Sequence, residues 1–155
     1  LLDSFISPMR NRRTDAFGGC LENRMRMISD ILLRLKVSIG GEAALGARIS
    51  PFSHAAEGFG PQDVHAMIRI LQEAGSDFVD LSTDGVFSKA MGSDHTIGQI
   101  AHEVTKLPLI AAGGIVTAED AERALNEGHA DVVAVGRAML TDPEWSAHAL
   151  KAVQP

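Results

Sequence analysis

Residues 108–137 read PLIAAGGIVTAEDAERALNEGHADVVAVGR and contain a complete strand–helix–strand unit. Pro108-Leu109-Ile110-Ala111-Ala112 is a short, almost wholly apolar run closed by Gly113-Gly114. A run without polar alternation suits a parallel strand covered on both faces. Residues 118–127 follow as a helix, with Thr117 as N-cap and Asp120 three positions on, a capping-box arrangement. Gly128 ends that helix, residues 131–135 (DVVAV) form the next strand, and Gly136-Arg137 lies at its C-terminal end.

The same alternation extends toward the N-terminus. Residues 22–39 place Met25, Ile28, Leu32 and Leu35 at helical spacing, and Gly40-Gly41 terminates them. Residues 44–50 read as a strand stopped by Pro51, followed by a polar, glycine-bearing loop. Residues 62–74 carry the apolar stripe Val64, Met67, Ile68 and Leu71, with Gly75 as terminator. Residues 77–83 make the next strand, 84–94 a long loop and 96–106 a helix. The last helix spans 143–152, opened by Asp142-Pro143. Gly75-x-Asp77 and Gly128-x-x-Asp131 repeat weakly between a helix end and a strand.

Four strands, each followed by a helix, predict an α/β fold built of parallel β/α units. Four such units make either a small open sheet or half of an eight-stranded (β/α) barrel, and periodicity leaves both open. The chain reads as one segment, 1–155, with 1–21 as an N-terminal loop region.

Composition narrows the function. The 155 residues are 45% hydrophobic and 22% charged, which excludes wholesale disorder and collagen-like classes. Fourteen Lys+Arg against twenty Asp+Glu, a net charge of −6, disfavours a nucleic-acid partner. Cys20 is the only cysteine, so no internal disulfide forms. Residues 107–118, a notable stretch without acid or base, are too short for the ~20 residues of a membrane span. No basic region precedes an apolar run at the N-terminus, so no membrane partner and a reducing, cytoplasmic home are expected. The chain starts Leu1-Leu2-Asp3 without an initiator Met, which predicts a piece of a longer protein or a processed chain.

The two glycine-bearing strand ends are the first candidate site. Glycines there let backbone N–H groups approach an anion, and the start of a helix adds favourable partial charge. Barrels that bind phosphate commonly do so with the loops after their last two strands. Gly113, Gly114 and Gly136 would supply the approach, and Arg137 a forked guanidinium. The alternative is that the glycines only turn the chain and Arg137 is solvated. Neither a Walker A nor a G-x-G-x-x-G loop is present.

Arg48 is the second candidate. Strand alternation puts it on one face with Ala44, Gly46 and Ser50, and Leu45, Ala47 and Ile49 on the other. A charge among small residues near a strand's C-terminal end suggests room for a ligand. An ion pair to Asp80 on the next strand explains it equally well, and the two readings can coexist.

Other polar residues point less clearly. Ser7 to Gly19 contains Arg10, Asn11, Arg12 and Arg13, whose chemistry favours bracing of a loop over a rim for an anion. His54, His65, His95, His102, His129 and His148 form no metal-ligand pair, and no metal is expected. Cys20, just before a helix, reads as a capping or buried residue rather than a nucleophile. Lys89 lies in a loop and no lysine lies within a predicted strand, so a Schiff-base mechanism lacks its residue.

Taken together, these segments resemble the old yellow enzyme family of FMN-dependent NAD(P)H oxidoreductases, or ene-reductases. The run Phe5-Ile6-Ser7-Pro8, Asn11-Arg12-Arg13-Thr14-Asp15, Phe17-Gly18-Gly19 and Leu21-Glu22-Asn23-Arg24-Met25-Arg26 carries the specific part of the likeness. Ala47-Arg48-Ile49-Ser50-Pro51, Ala111-Ala112-Gly113-Gly114-Ile115, Val135-Gly136-Arg137 and Asp142-Pro143-Glu144-Trp145 continue it. The resemblance implies the C-terminal half of a TIM (β/α)8 barrel, strands five to eight. It implies FMN as cofactor and NAD(P)H as reductant. Arg48 would meet the N1/C2-carbonyl edge of the flavin, and Gly113, Gly114, Gly136 and Arg137 would hold its phosphate. The substrate would be a small molecule of the enone type, an activated alkene.

The departures from the family are equally informative. Relatives clamp the substrate carbonyl with His-x-x-His or His-x-x-Asn and often protonate the product with a tyrosine, both upstream of the point where this chain begins. The chain has no tyrosine and no His-x-x-His. No catalytic residue is therefore expected within it, and the isolated chain is expected to be inactive. Self-association, or a missing N-terminal half, is expected to cover its open sheet. The rival readings are a non-catalytic phosphate-binding or structural half-barrel, and a non-flavin barrel enzyme acting on a phosphorylated metabolite.

Overall fold

The four predicted strands form one parallel sheet in chain order, β1-β2-β3-β4. The computed structural model describes residues 1–51 and 59–152. Its elements are α1 (Leu2–Ile6), α2 (Leu21–Ile39), β1 (Gly46–Ile49), α3 (Pro61–Glu73), β2 (Phe78–Ser82), α4 (Ile97–His102), β3 (Leu109–Ala112), α5 (Ala118–Asn126), β4 (Val132–Ala134), α6 (Arg137–Thr141) and α7 (Trp145–Ala152). His54 and the loop expected after Pro51 lie outside the described residues.

Period-two alternation separates the two faces of the sheet. Ala47, Ile49, Val79, Leu81, Leu109 and Ala111 are buried beneath the helices. They join a core that includes Met25, Ile28 and Leu32 of α2 and Val64, Met67, Ile68 and Leu71 of α3. Side chains of this kind each stabilise the fold by roughly 1.5–3 kcal/mol when removed from water. The opposite face carries Arg48, Asp80, Ile110 and Val132 in one register row and Ser82, Ala112 and Ala134 in the next. No helix among the described residues is long and apolar enough to cross a membrane.

The weak sequence repeat has a structural counterpart. Before β2, the Asp77 N–H donates to the Leu45 carbonyl (2.6 Å) and its carboxylate accepts from the Leu45 N–H (2.8 Å). Before β4, Asp131 makes the same exchange with Leu109, at 2.9 Å and 2.8 Å. Each carboxylate also meets a side-chain nitrogen from the helix preceding its partner strand: Lys36 Nζ lies 2.6 Å from Asp77, and His102 Nε2 lies 3.7 Å from Asp131. The two aspartates thus close the N-terminal edges of β1–β2 and β3–β4, where ladder bonds stop and backbone groups need other partners.

Several element boundaries differ from expectation. Within the N-terminal loop region, residues 2–6 form the short helix α1, and Ile6 is buried. The helix expected over 96–106 ends at His102. Beyond it Thr105 donates to Gln72 Oε1 (2.6 Å) and accepts from the Leu107 N–H (3.1 Å), which holds a turn instead of another helical residue. The helix expected over 143–152 is α7, starting two residues later, and a short helix not expected from the sequence, α6, precedes it. Asp142 caps the end of α6 in extended conformation, and α7 begins at Trp145, anchored by a 2.7 Å bond from Trp145 Nε1 to the Val116 carbonyl. Thr117 and Asp120 form the predicted capping box.

Candidate functional site

The C-terminal ends of all four strands open into one cleft of about 530 Å³. Arg48, Gly113, Gly114, Gly136 and Arg137 all line it, together with Ser82 and Thr83 of the β2 end. Residues spread over ninety positions of sequence meet here because consecutive parallel strands end on the same edge of the sheet.

The turn after β3 is fixed from below. Thr83 donates twice to the Ala112 carbonyl, from its N–H (2.8 Å) and its hydroxyl (3.0 Å), and the Gly113 carbonyl accepts from the Val86 N–H (2.9 Å). Gly113 and Gly114 have φ of +145° and +70°, conformations that favour glycine. A Cβ at Gly113 would strike the Thr83 carbonyl, whereas one at Gly136 would meet nothing within 4 Å. The cleft is thus a cradle walled by glycine backbone, open in front of Gly136. Arg137 is exposed beside it and has no hydrogen-bond or ion-pair partner among the described residues.

Just before α5, the Asp120 carboxylate accepts from the Val116 (3.1 Å) and Thr117 (3.0 Å) N–H groups. Those bonds, Thr117 first, hold the Asp120 carboxyl below its usual range. Arg137 and Arg48 bring positive charge to the cleft.

Arg48 makes the ion pair anticipated as one of its two readings, and it also lines the cleft. One terminal nitrogen donates to Asp80 Oδ2 at 3.3 Å, the other to Ser82 Oγ at 3.2 Å. Thr83 escaped the sequence reading: its role is a side-chain bond to backbone on the neighbouring strand, which spacing does not reveal.

The remaining candidates lie elsewhere. Asn11 is buried and binds the loop together, its amide donating to the Phe5 and Phe17 carbonyls (2.6 Å each) and its oxygen accepting from the Arg13 N–H (3.1 Å). Arg24 donates to the Ile6 and Gly19 carbonyls, and Arg13 pairs with Asp15, so the run acts as bracing. Cys20 is the N-cap of α2, exposed and without a side-chain cap bond. The Glu103 carboxylate bridges His65 (3.0 Å) and His95 (3.1 Å), and His129 is buried between Thr96 (2.9 Å) and Glu127 (3.0 Å). Among the described residues no cluster of three or more such side chains could hold a metal. Lys89 pairs with Asp94 at 2.7 Å.

Fold and cleft define a partial parallel (β/α) barrel with a glycine-walled cleft at its strand ends. The comparisons with known proteins give the family: the chain belongs to the NADH:flavin oxidoreductase / NADH oxidase family, whose family model matches residues 1–154. It is 32% identical to an NADH oxidase of Thermoanaerobacter brockii, over 94% of this chain and 24% of that protein. It is 30% identical to an NADPH dehydrogenase of Geobacillus thermodenitrificans, over 97% of this chain and 45% of that protein. Among solved structures, an old yellow enzyme homologue from Zymomonas mobilis superposes with a TM-score of 0.79 at 27% identity, covering 99% of this chain and 44% of that one. The chain thus spans less than half the length of these relatives.

Proposed function

We propose that this chain supplies the FMN-holding strand ends, strands five to eight, of an NAD(P)H-dependent flavin reductase in the cytoplasm. The observation that carries the reading is the convergence of Arg48, Gly113, Gly114, Gly136 and Arg137 on one cleft. The residues present fit the cofactor: glycine backbone forms a cradle that side chains would fill, and beside it stands a guanidinium without a partner among the described residues. Gly113, Gly114 and Gly136 give the phosphate close approach to backbone N–H groups. Arg137 offers it two parallel charge-assisted hydrogen bonds. Arg48, held on the floor of the same cleft, presents positive charge to the N1/C2-carbonyl edge of the ring. FMN, when bound, supplies the chemistry of accepting a hydride from NAD(P)H and delivering it to an activated alkene of the enone type.

This chain's own residues bind and orient. The groups that would clamp a substrate carbonyl or donate a proton to the product are not among them, so alkene reduction by the isolated chain is expected to be absent. Its second partner is either another copy or the rest of the barrel.

Titration with FMN, followed by flavin fluorescence and the visible spectrum, tests the reading. Saturable binding is expected, and Arg137→Ala should weaken it about tenfold or more, the effect of losing a hydrogen bond to a charged group. Binding that the substitution leaves untouched moves the phosphate elsewhere and removes the proposal.

A further inference from the structure

Asp80 does not line the cleft, yet it touches the arginine that does. The two residues are register partners on neighbouring strands, with Asp80 on the β2 side. The Asp80 side chain is 19% exposed against 55% for Arg48. Its Oδ2 accepts from Arg48, and its Oδ1 is buried without a hydrogen-bond partner among the described residues. Its neighbour on the other side in the same row is Ile110. Within the four strands, Arg48 and Asp80 are the only charged residues on this face.

A carboxylate set among apolar neighbours with one oxygen unpaired depends on its cation. The cation, in turn, is pulled to one side. With Ser82 Oγ as the second acceptor, the guanidinium is held by both terminal nitrogens across the floor of the cleft. We propose that Asp80 is a positioning residue for the flavin site: it fixes the Arg48 guanidinium and offsets part of its charge. This rests on the reading that Arg48 meets the N1/C2-carbonyl edge. Reduction of FMN to the anionic FMNH⁻ takes up two electrons and one proton and leaves negative charge on the ring. A lone arginine would favour that form strongly; an arginine shared with a carboxylate favours it less. Asp80 therefore sets how far the site stabilises reduced over oxidised flavin.

The experiment compares the chain with Asp80→Asn. Oxidised FMN affinity is measured by fluorescence titration, and the bound-flavin midpoint potential by slow reduction with xanthine and xanthine oxidase against a reference dye. Asparagine keeps the shape and an acceptor oxygen but removes the charge. The expected result is an oxidised-form affinity within about threefold of the original and a reduced-to-oxidised affinity ratio about tenfold higher, about +30 mV for a two-electron couple. Asp80→Glu, which restores the charge, should bring the potential back. Normal FMN binding with an unchanged or more negative potential in Asp80→Asn overturns the inference while sparing the flavin reading. A folded chain that takes up no FMN overturns both. Should Asp80→Asn fail to fold, nitrogen-15 NMR of the unsubstituted chain decides: a sharp, slowly exchanging Arg48 guanidinium supports the proposal, and free rotation about its Nε–Cζ bond overturns it.

Discussion

At Gly113 the backbone takes φ +145° with the Thr83 carbonyl packed where a Cβ would stand, while Gly136, at φ −111°, faces open space. The two glycines line the same cleft for different reasons, and substitution separates them. Gly113→Ala combines a strained conformation with a collision against backbone and is expected to destabilise the chain by about 2 kcal/mol or more, read from urea unfolding. Gly136→Ala keeps a negative φ and meets no atom within 4 Å, so it should cost less stability than Gly113→Ala in the same measurement. Its methyl group enters the space in front of the cradle, so FMN affinity should fall about tenfold. An alanine at Gly136 that leaves the affinity unchanged would move the phosphate away from this turn. Arg48 was legible in the sequence as a charge among small residues. Its partners Asp80 and Ser82 were legible as neighbours, because parallel register is nearly in step here. What spacing could not say is that ion pair and cleft position coexist in one side chain.

Among the elements, those with strong periodicity were the ones the sequence made plain. The stripe Val64, Met67, Ile68 and Leu71 is buried as its spacing predicts, and Leu71→Ala should cost about 2–5 kcal/mol, the usual range for a buried leucine, measured by thermal or urea unfolding. Short elements without a stripe were not visible. Helix α1 has no side-chain cap, and α6 is a single turn that buries no residue, so neither has a pattern to detect. The break between α6 and α7 is set by tertiary contact, since Trp145 anchors to Val116 across 29 residues. A hydrogen bond of 2.8 Å from His148 to Asp142 ties α7 back to that break. This bond, and then the Asp142 charge, raise the His148 pKa above its ordinary value near ~6.5. Folding thus favours protonated His148: its contribution is complete below the ordinary value and fades as pH rises through the raised one. Amide exchange within α7 should accordingly quicken, relative to α3 in the same chain, as pH climbs from about 6 to 8. His148→Gln should abolish that difference; a difference that persists in the variant assigns it to another group.

On the scale of the whole molecule, the surface is larger than its mass requires. The chain exposes 8826 Å², whereas a closed monomer of 16.5 kDa exposes about 7,500 Å² by the usual size scaling. The excess has the magnitude of one side of a standard protein interface, about 800 Å², or somewhat more. Its location is legible: parallel sheets are normally covered on both faces, and here one face has no layer over it among the described residues. Val132 on the outer strand β4 is 48% exposed, Leu140 of α6 is 84% exposed, and neither α6 nor α7 buries a residue fully. The outer strands β1 and β4 are both parallel to their neighbours and each has one side without a strand partner among the described residues. A second copy related by a two-fold axis along the sheet would set β4 of each beside β1 of the other. That arrangement keeps all strands parallel and reaches eight, the number that closes such barrels. The remaining half of a longer parent chain would satisfy the same edges. Light scattering across a concentration series should therefore give a mass above 16.5 kDa that rises with concentration. Val132→Lys, a charge on the outer strand, should return it toward the monomer. A constant monomer mass up to hundreds of micromolar would mean that the open face and both sheet edges are stable in water, and the barrel-closing account of this chain would fall.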